Sequence, residues 1–292
     1  MSDLLGAVLS LAFLVQVATK AIPYVLAALG GTLAERSGVV DLALESKLLA
    51  GAFAAATVGH ATDSMAAALI AGALAGAAVG ALHAAIALIT RADQVVTGVA
   101  LNLAAAGMTR YLLQVLYGQG ANSLPAPQLG GLAEDMTAWI ALGAAIAVPL
   151  VVVRTTFGLR LRAAGDRPLA LRAAGHSVAW TRVGAMMLGG TLAGIGGAQL
   201  SLAVGGFSAD MSSGRGYIAL AAVILAGWRP GRAVLACLVF ALADALTDQL
   251  QMNVVALPRE LTGLFPYALP LAILALAPSR MQPPAALGKP ES

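Results

Sequence analysis

Residues 65–89 read MAAALIAGALAGAAVGALHAAIALI, and no Asp, Glu, Lys or Arg interrupts them. A hydrocarbon core of ~30 Å takes about 20 apolar residues of helix to cross, so this run is a membrane span. The pattern recurs. Candidate spans are 8–30, 48–60, 65–89, 94–117, 137–153, 183–205, 216–228, 233–250 and 262–278. Those at 48–60 and 216–228 are too short to cross alone. They read as broken or re-entrant helices, which survive at membrane depth only when buried in protein or lining a cavity. Charged residues are 11% of the 292-residue chain, against about 25% in a soluble domain. The expected fold is all-α: a polytopic helical membrane protein with about 7–9 spans, some short or re-entrant.

Charge placement gives the spans a direction. Residues 154–182 hold Arg154, Arg160, Arg162, Arg167, Arg172 and Arg182 against a single acid, Asp166. By the positive-inside rule this segment is cytoplasmic. Counting back, 118–136 falls outside, 90–93 inside, 60–64 outside, 31–47 inside and the N-terminus outside. Counting forward, the turn WRPGR at 228–232 and the C-terminus fall inside. The alternation holds if both short segments cross. The first run lacks a basic leader and a small-residue cleavage site, so it reads as a retained span. Pro283, Pro284 and Pro290 mark 281–292 as a disordered tail, which leaves 1–280 as one transmembrane domain. The net charge of +3 resides in the loops and argues for no nucleic-acid partner.

Gly and Ala crowd the spans, as in GALAGAAVGALHAA at 72–85 and LGGTLAGIGGAQ at 188–199. Lipid supplies no hydrophobic drive between helices, so small residues that let backbones approach are the means of packing. The pentapeptide GGTLA occurs at 30–34 and again at 189–193, on helices expected to run in opposite directions. The lone Cys237, in an apolar run, excludes a disulfide framework and a Cys metal site.

Three groups of residues are candidates for function. In 154–182, Pro168 stands where a helix starts and Gly175 where a left-handed residue would end one. RPLALRAA between them makes a short amphipathic helix on the membrane surface, with Leu169, Ala170 and Ala173 on one side and Arg172 elsewhere. In 30–51, Glu35, Arg36, Asp41, Glu45 and Lys47 interrupt apolar sequence. Facing lipid, Asp41, Glu45 and Lys47 would together cost roughly 9 kcal/mol. They must therefore face water, pair internally or lie at the interface. Asp41 and Glu45 are four apart, so on a helix they share a face and repel. Within the spans, Gln16, Thr97, Asn102, Gln114, Gln199 and Ser201 could line a path or bond between helices, and Asp244 and Asp248 lie four apart near an outer end. His60, His83 and His176 are isolated. No HExxH, GxSxG or P-loop pattern occurs, so neither catalysis nor metal binding is expected, and ATP would have to act through another chain.

Four stretches resemble a known family. ERSGVVDLALES is similar to the sequence written ER-x-G-x-x-N-[LI]-G-x-E-G. LRAAGDRPLALRAAGHS resembles a pattern of Gly, an acid, Asn or Arg, and Pro before an Ala-rich stretch ending in Gly. LGGTLAGIGGAQLS resembles a Gly-rich helix, and ILAGWRPGRA a late turn. In this order they resemble the permease subunits of ABC importers of the branched-chain amino acid, ribose and nucleoside class, the nucleoside branch most of all, across about residues 20–280. The resemblance implies a cytoplasmic coupling helix at Gly165–Gly175, with Arg162, Gly165, Asp166, Arg167, Pro168, Arg172 and Gly175 at or near an ATPase. It also implies ATP–Mg held by that ATPase and no cofactor on this chain. A second, different permease chain, an extracytoplasmic substrate-binding protein and a bacterial inner membrane follow from it as well. The substrate path would involve Asp41, Glu45, Thr97, Asn102 and Gln199. The chain departs from the family at Asp41, where Asn is usual, and at Ser46 and Lys47, which replace a Gly and an apolar residue. A sugar or amino acid ligand therefore stays open beside a nucleoside. So does an ion-coupled transporter using Asp41, Glu45 or Asp244, or a subunit with no transport path.

Overall fold

The computed structural model describes residues 10–130, 135–253, 272 and 282–289. Among the described residues the helices are α1 (Leu11–Arg36), α2 (Leu44–Thr62), α3 (Met65–Ile89), α4 (Gln94–Tyr117) and α5 (Met136–Arg154). They continue with α6 (Thr156–Asp166), α7 (Pro168–Ala173), α8 (Val178–Ala203), α9 (Arg215–Leu225) and α10 (Pro230–Asn253). Short polar side chains open many of them by accepting the free N–H groups of the first turn. Ser64 accepts from Ala67 at 3.4 Å, Asp93 from Val95 at 2.8 Å, Thr155 from Gly158 at 3.1 Å and Ser177 from Trp180 at 3.3 Å. Six helices among the described residues are long and apolar enough to cross a membrane: α1, α3, α4, α5, α8 and α10. The expected span at 262–278 lies outside the described residues.

Glycine builds the centre. α8 lies among α1, α2 and α3, and its glycines press on backbone rather than on side chains. A Cβ on Gly189 would stand 2.5 Å from the carbonyl oxygen of Gly30, and one on Gly190 2.2 Å from that of Gly76. One on Gly194 would stand 2.2 Å from the oxygen of Gly72, and one on Gly197 1.9 Å from that of Leu48. The two GGTLA copies thus meet through their first glycines, on helices that run antiparallel. Around this centre, Leu29, Leu33, Leu44, Leu48, Val223 and Phe240 fill the main apolar core.

The structure departs from the sequence reading in several places. Residues 48–60 form part of a longer, 19-residue helix, which is still not among the six long and apolar enough to cross. The helix begins earlier because Glu45 and Lys47 both find partners inside the protein. Of the three arrangements open to the charges of 31–47, the structure has internal pairing in a break whose Val39, Asp41, Ala43 and Leu44 are all buried. The basic segment 154–182 carries two short helices, α6 and α7, instead of one. On α7 the buried anchor is Leu171, packed with Ala164 and Val178, while Leu169 is exposed. α7 therefore rests on the end of α6 and the start of α8, and its expected apolar side is not the buried one. Residues 282–289, read as tail, form a turn. Its Ala286 N–H donates to the Gly165 carbonyl at 2.7 Å and its Gly288 N–H to the Gly38 carbonyl at 3.2 Å.

Candidate functional site: a charged helix break and a polar cavity

Between α1 and α2 the chain breaks over residues 37–43. Gly38 takes φ +98, a left-handed conformation that glycine adopts without steric cost. A break inside a bundle frees backbone groups that must be satisfied, and α4 supplies the partners. Gln94 accepts from the Val40 N–H at 2.8 Å, and Asn102 accepts from the Ser46 N–H at 2.9 Å. Asn102 also donates to the Leu42 carbonyl at 2.8 Å and to the Tyr217 hydroxyl at 2.9 Å. Gly98 lies between them, where a Cβ would meet Leu42 at 2.6 Å. From the other side the buried Arg182 donates to the Ser37 carbonyl at 3.1 Å.

The charges at the break are paired within the protein. Both carboxylate oxygens of Asp41 lie 2.6 Å from the Lys47 ammonium, and His83 Nδ1 is 3.5 Å from Oδ1; all three side chains are sealed from solvent. Glu35 accepts from the Asp41 N–H at 3.2 Å and from the Trp228 indole at 2.5 Å. Asp41 and Glu45 do not share a helix face, because α2 starts only at Leu44. Glu45 points instead at the start of α9. Its carboxylate accepts from the Ser212 hydroxyl at 2.6 Å, the Gly214 N–H at 2.8 Å and the Gly216 N–H at 2.7 Å. A carboxylate there satisfies orphan donors and complements the helix dipole.

A polar cavity of about 450 Å³ lies toward the end of the bundle opposite the arginine-rich segments. Thr19, Lys20 and Pro23 of α1, Gln199 of α8, and Ser208, Ser213 and Arg215 help to line it. Pro23 has no N–H, so the carbonyl of Thr19 lacks its i+4 donor beside this space. Lys20 is held at the wall by Asp244 at 3.2 Å and Asp248 at 2.9 Å. Tyr24 donates to Asp244 at 3.2 Å and Gln16 to Asp248 at 3.1 Å. Asp244 and Asp248 are therefore engaged with a lysine.

Of the five residues expected on a substrate path, Gln199 alone is among those lining this cavity. Asp41 and Glu45 are structural partners of the break and of α9. Asn102 clamps the break, and Thr97 donates back to the Asp93 carbonyl of its own helix at 2.8 Å. Beside Gln199 the cavity gathers Lys20, Thr19, Ser208, Ser213 and Arg215, which the sequence pattern did not single out. A lysine inside the first apolar run was the signal that could have found Lys20, since a charge within a span is costly and faces the protein interior.

At the arginine-rich end, the expected coupling residues divide into two sets. Gly165 packs so tightly that a Cβ would stand 2.2 Å from the Arg36 carbonyl. Asp166 lies 3.9 Å from Arg36, and Arg162 donates to the Val153 carbonyl of α5 at 3.5 Å. These three attach α6 to the bundle. Pro168 is the first residue of α7, and Gly175 turns the chain out of it at φ +80. Arg167 and Arg172 are on the exposed side.

Spanning helices that wall a polar cavity and carry a firmly seated arginine-rich handle have the build of a membrane permease. The family model described as branched-chain amino acid transport system / permease component matches residues 13–274, and the chain belongs to that family. It is 32% identical over 280 residues to the nucleoside ABC transporter permease protein NupC of Lactococcus lactis subsp. cremoris (strain MG1363), covering 87% of this chain and 88% of that protein. It is 32% identical over 296 residues to the guanosine ABC transporter permease protein NupQ of Bacillus subtilis (strain 168), covering 92% and 93%. It is 31% identical over 240 residues to the putative glucose ABC transporter permease protein TsgC13 of Haloferax volcanii, covering 76% and 72%. No solved structure matches the chain significantly.

Proposed function

We propose that this permease forms the translocation path for a nucleoside in an ATP-driven importer of a bacterial inner membrane. The cavity carries the reading. Its volume of about 450 Å³ falls in the range of small-molecule sites, about 300–1,000 Å³. Its wall mixes apolar positions such as Leu200, Ala203 and Val204 with Lys20, Gln199, Ser208, Ser213 and Arg215. That mixture suits a solute with an apolar ring face and several hydroxyl and carbonyl groups. The names of the two relatives alignable over most of the chain, for a nucleoside and for guanosine, support the same substrate class.

On this reading the cavity is the extracytoplasmic half of the path, where a binding protein releases its solute. α6 and α7 face a separate ATPase, which holds ATP–Mg and hydrolyses it. Arg167 and Arg172 present the contact, while Gly165 and Asp166 carry its movement to the end of α1. The C-terminus is cytoplasmic, and a second, different permease chain completes the core. The test is uptake by proteoliposomes holding the complex purified from native membranes. ATP-dependent accumulation of radiolabelled guanosine, outcompeting glucose and leucine, is expected. Uptake by this chain alone, driven by an ion gradient and indifferent to ATP, would overturn the proposal.

A further inference from the structure

A second cavity, of about 460 Å³, opens at the arginine-rich end. Four guanidinium groups line it: Arg36 from the end of α1, Arg162 from α6, Arg229 from the turn before α10 and Arg232 from the first turn of α10. Pro149, Val152 and Val153 of α5 form an apolar wall, and no Asp or Glu is among the lining residues. The only ion pair these arginines make among the described residues is the long contact of Arg36 with Asp166, at 3.9 Å. Nε of Arg36 is buried and has no hydrogen-bond partner among the described residues. Such orphaned donors are rare in native structures and call for a partner.

The turn is built to hold its arginines there. Gly227 and Trp228 are both left-handed, at φ +61 and +56, and that is an uncommon conformation for a bulky residue. The indole N–H bonded to Glu35 fixes Trp228 in this position. Arg229 and Arg232 remain exposed beside the half-buried Arg36 and Arg162. Clustered guanidinium forks match the oxygens of a phosphate. The apolar side of the cavity leads to Val153, which is 61% exposed on the outward face of α5. A free phosphate ester has no use for that wall, whereas an acyl chain does.

We propose that this cavity binds the phosphodiester headgroup of an anionic phospholipid, with its acyl chains laid along α5 by Pro149 and Val153. Basic pockets between membrane helices take such headgroups, and each surface arginine contributes about fivefold in affinity. The site is separate from the polar cavity of the transport path and does not rest on the identity of the solute.

The test is native mass spectrometry of the full chain in mild detergent, titrated with phosphatidylglycerol or phosphatidylcholine. Selective retention of one phosphatidylglycerol is expected. Arg229→Gln and Arg232→Gln should each weaken it about fivefold and together about 25-fold. Arg91→Gln, at the same end but away from the cavity, should leave it unchanged. Equal retention of both lipids, or variants that bind phosphatidylglycerol as the parent does, would overturn the proposal. Displacement of the lipid by low-millimolar inorganic phosphate would also overturn it and assign the cavity to a soluble phosphate. Loss of a co-purifying ATPase from the variants, with lipid binding intact, would overturn it in favour of a protein contact.

Discussion

Substitution of Gly197 by alanine tests the packing of α8 most severely. The new Cβ would stand 1.9 Å from the Leu48 carbonyl oxygen and 2.8 Å from its carbon. Carbon–oxygen contacts between packed helices lie at about 3.3 Å or more, so α2 and α8 must part by roughly 1.4 Å. Both groups are backbone, and no side chain can swing aside. Overpacking of this kind costs about 1–3 kcal/mol. That is a sizeable part of the ~5–15 kcal/mol that holds a domain folded. Gly184 is on the same helix with nothing near its would-be Cβ, so Gly184→Ala should be neutral or gain up to about 1 kcal/mol in helix propensity. Thermal unfolding of the purified proteins in one detergent reads the difference. Gly197→Ala should melt roughly 3–10 °C below the parent, with Gly184→Ala at or slightly above it. Equal melting of the two variants would refute the argument that α8 packs through its backbone.

Lys47→Met should destabilise by about 3–5 kcal/mol because it leaves Asp41 charged and sealed; adding Asp41→Asn should recover most of that loss in a double-mutant melting cycle. Glu45→Ala should leave the amides of Gly214 and Gly216 unpaired at a cost of about 1–2 kcal/mol. Hydrogen exchange should then accelerate at the start of α9 and not in α3. Arg172→Glu should lower transport-coupled ATP hydrolysis in the reconstituted complex while melting as the parent does, since the side chain is exposed; normal coupling would remove it from the contact. Gln199→Ala should weaken guanosine uptake through KM, by roughly tenfold for one lost hydrogen bond of about 1.4 kcal/mol.

The helical, membrane-spanning architecture was legible because apolar run length is a local property. So were the ends of α7, since Pro168 and Gly175 act through their own backbone angles. The partners at the break were not legible. Asp41, Lys47 and His83 come together from a break and two helices, and charge spacing along the sequence suggested repulsion between Asp41 and Glu45 where the structure has none. Internal pairing is one of three arrangements that the cost of burying these charges allows, and the structure has it. Lys20 and Arg215 escaped notice because the cavity joins α1, α8 and the segment before α9, a closure that no local pattern encodes. The meeting of the two GGTLA copies was visible only as a repeat. Their contact required knowing that α1 and α8 lie side by side.

The glycine contacts of α8 also act as a gear lock. Carbonyls of α1, α2 and α3 are seated in notches on its sides, so it can neither roll about its axis nor slide by part of a turn without a collision. Those four helices must shift as one piece. Gly107 of α4 and Gly143 of α5 meet nothing within 4 Å, so no such notch fixes the outer helices at these points. Any relative motion that keeps these contacts intact must lie outside this four-helix block.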